Sequence, residues 1–514
     1  MAFWPVWRRY VRLIGVVLLL VAGTAMPAQA GKRDDTLTWA TTVALPSAEP
    51  YYNISNDGLL VISQMVWDTL IYRDPDSGQY KPLLATAWRW IDPLTLELDL
   101  RRDVRFHDGR PFSADDVVYT INFALDPANR VSLPSNVNWL RRAEKTGSHQ
   151  VRLLLRAPFP TAFEYLSGPI AIMPAGFYQN TDANRGPPAS RYPGTGPYRL
   201  TRWEPGREAQ FDINPEYMAG SPKGRPSIPR LIMRVVPDAD TQVTELTAGR
   251  LDWIGQVAET AARRLAAAPN IRVLTAQSMR IAFLQFDVQG RSGPNPFQNL
   301  RVREAVAHAI DRDAIVRNVI GAGSRSLQAF CFPSQFGCTD DVRRIPYDPA
   351  KARQLLTEAG YPNGFDTEII GFRARPRVEA LSGFLNASGI RARLAFMGYG
   401  AVRERQQKGQ VQLLDTSWGS LSINDVSALI TPFFTNRLGD MVQDAEIRSW
   451  AAAAATAIDP QERRRLYGLI LRKIADNVLV LPLYTLPSVT AFVSDLAYRA
   501  WPDENPRFYM QRWR

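Results

Sequence analysis

Residues 96–125 admit few local folds. Leu96, Leu98 and Leu100 alternate with Glu97 and Asp99, a period of two that predicts a half-buried strand with its apolar side on a core. Asp108-Gly109 is a turn dipeptide, and Ser113 with Asp116 three residues later predicts a helix N-cap and its reciprocal partner. Val117, Val118, Ile121 and Ala124 follow at helical spacing. Strand, turn and capped helix thus succeed one another, and the pattern recurs at residues 241–254, where a helix ended by Gly249 precedes a strand at Leu251 to Ile254. This order implies an α/β core.

A chain of 514 residues exceeds what one core organises, so two or three domains are expected. Arg8, Arg9 and Arg12 precede an apolar run at 13–22, and Ala28-Gln29-Ala30 follows. That order predicts a secretory signal peptide over residues 1–30, cleaved before Gly31. No Cys stands near the cleavage site, so the expected product is periplasmic and not lipid-anchored. Removing those three arginines from the formal charge of +11 leaves +8, spread among acidic neighbours as on a solvated face. Nucleic-acid binding is not expected. Cys331 and Cys338 bracket a short loop in a chain bound for an oxidising compartment, which favours a local disulfide over a two-Cys metal site. The three histidines, His107, His149 and His308, have no ligand spacing, so no metal and no cofactor are expected. Neither a Gly-x-Ser-x-Gly elbow nor a His-Glu-x-x-His helix occurs, and no residue is assigned a catalytic role. His107-Asp108 is read as a locally hydrogen-bonded turn.

Several ordered segments carry more than physics. They are Pro82-Leu83-Leu84-Ala85-Thr86-Ala87-Trp88, residues 100–117 (Leu-Arg-Arg-Asp-Val-Arg-Phe-His-Asp-Gly-Arg-Pro-Phe-Ser-Ala-Asp-Asp-Val), Pro193-Gly194-Thr195-Gly196-Pro197-Tyr198, residues 301–312 and residues 347–361. In this order they resemble the dipeptide, oligopeptide and nickel-type receptors of ABC importers, the family 5 extracellular solute-binding proteins. The resemblance implies a two-lobed α/β periplasmic-binding-protein fold, type II and cluster C-like, with an extra subdomain in the first lobe. Carried over, lobe I spans 31–277 with an insert at about 72–195, lobe II spans 278–486, and residues 487–514 return to lobe I. The crossings should lie near 276–280 and 485–488. The implied function is a periplasmic receptor, not an enzyme, whose lobes close on a peptide or peptide-like solute, anionic or zwitterionic. It would deliver that solute, as a monomer, to an inner-membrane permease and ATPase complex. The alternatives are an exported hydrolase and a chemosensory or chaperone-type receptor on the same fold.

The segment Trp418-Gly419-Ser420-Leu421-Ser422-Ile423-Asn424-Asp425 resembles the family's ligand loop. Peptide receptors of the family place an aspartate three residues after the tryptophan, where it holds the ligand's α-ammonium. Leu421 stands there instead, so free dipeptides are expected to bind poorly unless Asn424 or Asp425 substitutes. Trp418 and Ser420 are further candidate contacts. Tyr51 and Tyr52 are candidates by position at the cleft rim, with aromatics covering a loop as the alternative. Arg373 and Arg375 are candidates for receiving a carboxylate, against the alternative of solvated loop arginines.

Overall fold

The computed structural model describes residues 32–43, 45, 47–53, 62–179, 192–420 and 423–514. The expected signal peptide and Leu421 lie outside them. Residues 96–125 form the elements their pattern predicts: the strand Thr95–Leu100 and the helix Ala114–Leu125. Ser113 N–H donates to Asp116 Oδ2 (2.7 Å), and Asp115 N–H donates to Ser113 Oγ (3.3 Å), satisfying donors that a helix start leaves free. Ala114, Val117, Ile121 and Ala124 are the buried side of that helix. Its Asn122 exchanges hydrogen bonds with the Ala143 backbone (3.0 and 2.9 Å), which ties it to the strand Leu140–Gly147.

One difference from the alternation is instructive. Glu97 is 2% exposed, although its place in the pattern faces away from Leu96 and Leu98. Arg89 and Arg152, on the flanking strands Ala85–Asp92 and Gln150–Leu155, both pair with its carboxylate, Arg152 at 2.7 Å. Their aliphatic stems cover it while their charges balance it. The small antiparallel sheet runs in the order Ala85–Asp92, Thr95–Leu100, Gln150–Leu155, Leu140–Gly147.

His107 joins two distant segments. Gly194 N–H donates to its Nδ1 (3.2 Å), and its Nε2 lies 3.0 Å from Gly196 O. These partners require a neutral imidazole protonated on Nε2, and burial pushes its pKa down to about 4. The two glycines are sterically required, because a Cβ on Gly194 would sit 1.7 Å from Val66 O and one on Gly196 2.4 Å from Met65 O. His107 is scaffold.

The larger sheet has ten strands. In spatial order it runs Ile390–Phe396, Phe365–Gly371, Leu413–Trp418, Ile271–Phe286, Val480–Val493, Trp253–Ile254, Thr36–Thr41, Arg230–Val235, Glu208–Ile213, Tyr198–Glu204. The two long central strands pair antiparallel from Ile271–Val493 to Gln285–Val480, with a register shift between Gln277 and Ile281. At that irregularity Ser278 Oγ donates to Leu486 O (2.7 Å) and Met279 N–H donates to Pro502 O (2.7 Å).

Separate apolar cores lie on either side of this midline. One gathers Trp39, Trp67, Phe211 and Phe508; the other side holds clusters around Phe286, Leu381 and Ile310 and around Phe283, Phe330 and Ile470. The end of the chain packs on the first lobe, with the Phe508 ring 4.6 Å from that of Trp39 and 5.4 Å from that of Trp253.

Candidate functional site

Between the lobes lies a cavity of about 430 Å³. Its second-lobe wall comes from the end of the strand Leu413–Trp418, the helices Tyr399–Gln407 and Ser427–Phe434, and the loop carrying Phe372 and Arg373; Leu133, Ser135 and Tyr165 of the first lobe face them. Arg373 follows directly on the carboxyl end of the parallel strand Phe365–Gly371, the edge at which open α/β sheets present ligand sites.

Trp418 forms part of this wall. Its indole Nε1–H donates to Ala428 O (2.9 Å), and its ring stands edge-on to Phe433 at 5.8 Å, so one side is anchored while the other faces the cavity. Gly419 lies against the Arg280–Glu504 pair: a Cβ there would come 2.8 Å from Arg280 Nη2 and 3.0 Å from Glu504 Oε2, so a side chain would displace the ends of that pair. Ser420 is buried and takes a left-handed backbone (φ 59°), a conformation costly for a residue with a Cβ.

Gln335 fixes Ser420. From the loop closed by the Cys331–Cys338 disulfide (Cα–Cα 5.6 Å), its Nε2 donates to Ser420 Oγ (2.8 Å) and Ile423 O (3.2 Å), and its Oε1 accepts from Phe332 N–H (3.0 Å). Phe336 N–H donates to Asn424 O, and Val426 N–H to Phe336 O. The disulfide loop therefore lies as a splint along the ligand loop.

The charges are one-sided. Arg373, Arg403 and Arg437 line the cavity, and among the described residues no carboxylate does. Two neighbouring carboxylates have partners already: Glu504 accepts two bonds from Arg280 (3.2 and 2.7 Å), and Asp415 accepts two from the fully buried Arg377 (2.9 and 2.5 Å). Desolvation, with the like charges of Arg280 and Arg377, lowers the Arg373 pKa from its ordinary value, and Glu504 opposes that shift. Ser417 Oγ, on the same wall, is buried and has no hydrogen-bond partner among the described residues.

The candidate residues read from the sequence divide into groups. Trp418, Ser420 and Arg373 line this cavity. Asn424 lies on its far side, in a second cavity of about 280 Å³. There its N–H donates to Glu164 Oε2 of the first lobe (3.1 Å); its amide, turned to satisfy both ends, donates to Ser334 O (3.3 Å) and accepts from Arg73 Nη2 (3.2 Å). Glu164 also accepts from Tyr80 OH (2.6 Å), so Asn424 closes a polar seam between the lobes.

Asp425 faces neither cavity. Arg463 Nη2 donates to its Oδ2, and Tyr467 OH and Ser427 N–H donate to its Oδ1, both at 2.9 Å. A carboxylate held this way has no edge left for a ligand ammonium. Arg375 stacks on Phe396 (5.0 Å) and pairs with Glu379 at 3.6 Å, away from the cavity wall. Tyr51 and Tyr52 commit their hydroxyls to Ala171 O (2.9 Å) and Asn129 O (2.7 Å) and line neither cavity. Sequence reasoning passed over Arg403, Arg437, Ser417 and Gln335, for which the only local signal was that Gln335 lies between the two cysteines.

Comparison with known proteins identifies the family and the fold. Residues 79–440 match the family model for bacterial extracellular solute-binding proteins, family 5 middle. The chain is 29% identical to the glutathione-binding protein GsiB of Salmonella choleraesuis over 432 residues, 80% of this chain and 82% of that one. It is 29% identical to heme-binding protein A of Haemophilus influenzae over 369 residues, 67% of this chain and 66% of that one. Among solved structures, NikA from Brucella suis in complex with Fe(III)-EDTA superposes with a TM-score of 0.83 at 21% identity, covering 93% of this chain and 100% of that one. With its two-lobed fold and the matched span, this chain belongs to the family 5 extracellular solute-binding proteins, the substrate-binding receptors of ABC importers.

Proposed function

We propose that the cavity between Trp418, Arg373 and Tyr165 holds a peptide or peptide-like polar solute, and that the lobes close around it before delivery to a permease and ATPase. The observation that carries this reading is the cavity's position: both lobes contribute wall, with Leu133, Ser135 and Tyr165 facing the residues around Trp418 and Arg373. Closure around a solute removes water, which strengthens every polar contact inside. The closed form then differs in shape from the open one, and a transporter can read that difference. Export through residues 1–30 and release into the periplasm as an unanchored monomer complete the proposal.

The chemistry proposed is binding without bond-making. Small-angle scattering of the protein, with and without the solute that co-purifies from its host, should show a decrease in radius of gyration on binding. Mass spectrometry should recover that solute unchanged. A constant radius, or a solute hydrolysed on incubation, refutes the reading.

A further inference from the structure

We infer that the cleft selects solutes bearing at least two oxyanion groups, carboxylate or phosphate, and excludes cationic ones. The inference rests on the proposal that this cavity is the solute site. Three guanidinium groups line it, and among the described residues no carboxylate does. Carboxylates that could have neutralised them are bound elsewhere, Glu504 on Arg280 and Asp415 on Arg377. Among the described residues, Arg373, Arg403 and Arg437 have no ion-pair partner within 4 Å; Arg373 lies over Phe372 (5.4 Å) and Arg403 over Tyr399 (6.0 Å).

Arg373 and Arg437 are solvent-exposed in this structure and Arg403 is half-buried; like charges lining one cavity repel more strongly once closure removes that water. A neutral solute would leave them uncompensated in the closed state, and a solute with one carboxylate would balance only one. Two or more oxyanions convert the repulsion into paired contacts, with arginine's planar fork suited to either group. The buried Ser417 Oγ, without a partner among the described residues, supplies one more polar atom on the same wall. A cationic solute would add to the uncompensated charge.

Four probes separate the possibilities by calorimetry: Ala-Ala, Lys-Lys, Glu-Glu and phosphoserine. Glu-Glu or phosphoserine should bind at least about tenfold more tightly than Ala-Ala, Lys-Lys should not bind, and the preferred acidic probe tells carboxylate from phosphate. Arg373→Gln should cut the ratio of acidic-probe to Ala-Ala affinity by about 10-fold to 100-fold, the range for losing one hydrogen-bonded charge partner. Arg437→Gln provides a second, independently folded variant, and an unchanged melting temperature in either shows that the scaffold is intact.

Equal binding of Ala-Ala and Glu-Glu, or binding of Lys-Lys, overturns the charge inference. If Ala-Ala or Lys-Lys also closes the lobes in scattering, the receptor reading survives that failure. If none of the four probes binds and the co-purifying solute causes no closure, both fall.

Discussion

Replacing Asp425 by Asn separates a structural carboxylate from a ligand anchor. In the structure Asp425 and Arg463 are buried, with side chains 4% and 8% exposed, and the Asp425 oxygens also accept from Tyr467 and Ser427. Removing one partner of a buried pair costs about 3–5 kcal/mol, because the other charge stays desolvated. The lower end applies here. An Asn oxygen still accepts from Ser427 N–H and Tyr467, and the stranded guanidinium keeps the Phe336 and Tyr467 rings at 4.5 and 5.7 Å. About 3 kcal/mol in a cooperative unit of roughly 150–250 residues lowers its melting temperature by about 6–12 °C, measurable by calorimetry. Arg463→Met with Asp425→Asn should cost less than the two single changes together, by more than about 1 kcal/mol. Solute affinity in Asp425→Asn should remain within a few-fold of the parent. A variant that melts within about 2 °C of the parent yet no longer binds solute would refute the reasoning, because Asp425 would then be meeting the ligand rather than holding the helix Pro460–Asp476.

Gln335→Ala removes the strut under Ser420 and should cost about 1–3 kcal/mol while raising amide hydrogen exchange at residues 423–427; unchanged exchange there would show that Ser420 holds its conformation alone. Replacing Cys331 and Cys338 by Ala should cost about 2–3 kcal/mol by the loop-entropy rule and loosen the same segment, checked by urea unfolding and exchange. Burial raises the Glu49 pKa to about 7 from 4.5, so its contribution to stability is fully present below about 4.5 and is lost as pH rises through about 7. Glu49→Gln should therefore match the parent near pH 4 and exceed it by about 3 kcal/mol near pH 8 in urea titrations; equal stability at both pH values would contradict this. His107 has the opposite sign: its pKa is depressed to about 4 by burial, so its contribution is present above about 6.5 and is lost as pH falls toward 4. His107→Asn should flatten that acid limb.

What was legible in the sequence was what short-range geometry decides. The Ser113 and Asp116 capping pair can be read because donor and acceptor lie within one helical turn. Asp348 before Pro349 is legible for the same reason, and its side chain accepts from Lys351 N–H as a helix N-cap should. The ordered motifs supplied the fold, because each is scaffold that many ligand specificities share.

The site was harder to read because its members meet only after folding. Asp425 has the same neighbours in sequence whether it faces a ligand or Arg463, which lies 38 residues further on. Arg373 has the local signature of a solvated loop, and its place at a cavity follows from the strand before it and from Tyr165 of the other lobe. Glu97 has the alternation of an exposed position, and only strands on both sides reveal its two arginines.

Because the strands Ile271–Phe286 and Val480–Val493 pass from one half to the other and pair on both sides of the irregularity at residues 277–281, the halves share one sheet. Shearing one half past the other would break that ladder, whereas a small change of curvature at the irregular step leaves it whole. The sheet thus favours bending over sliding as the way its two halves can approach each other.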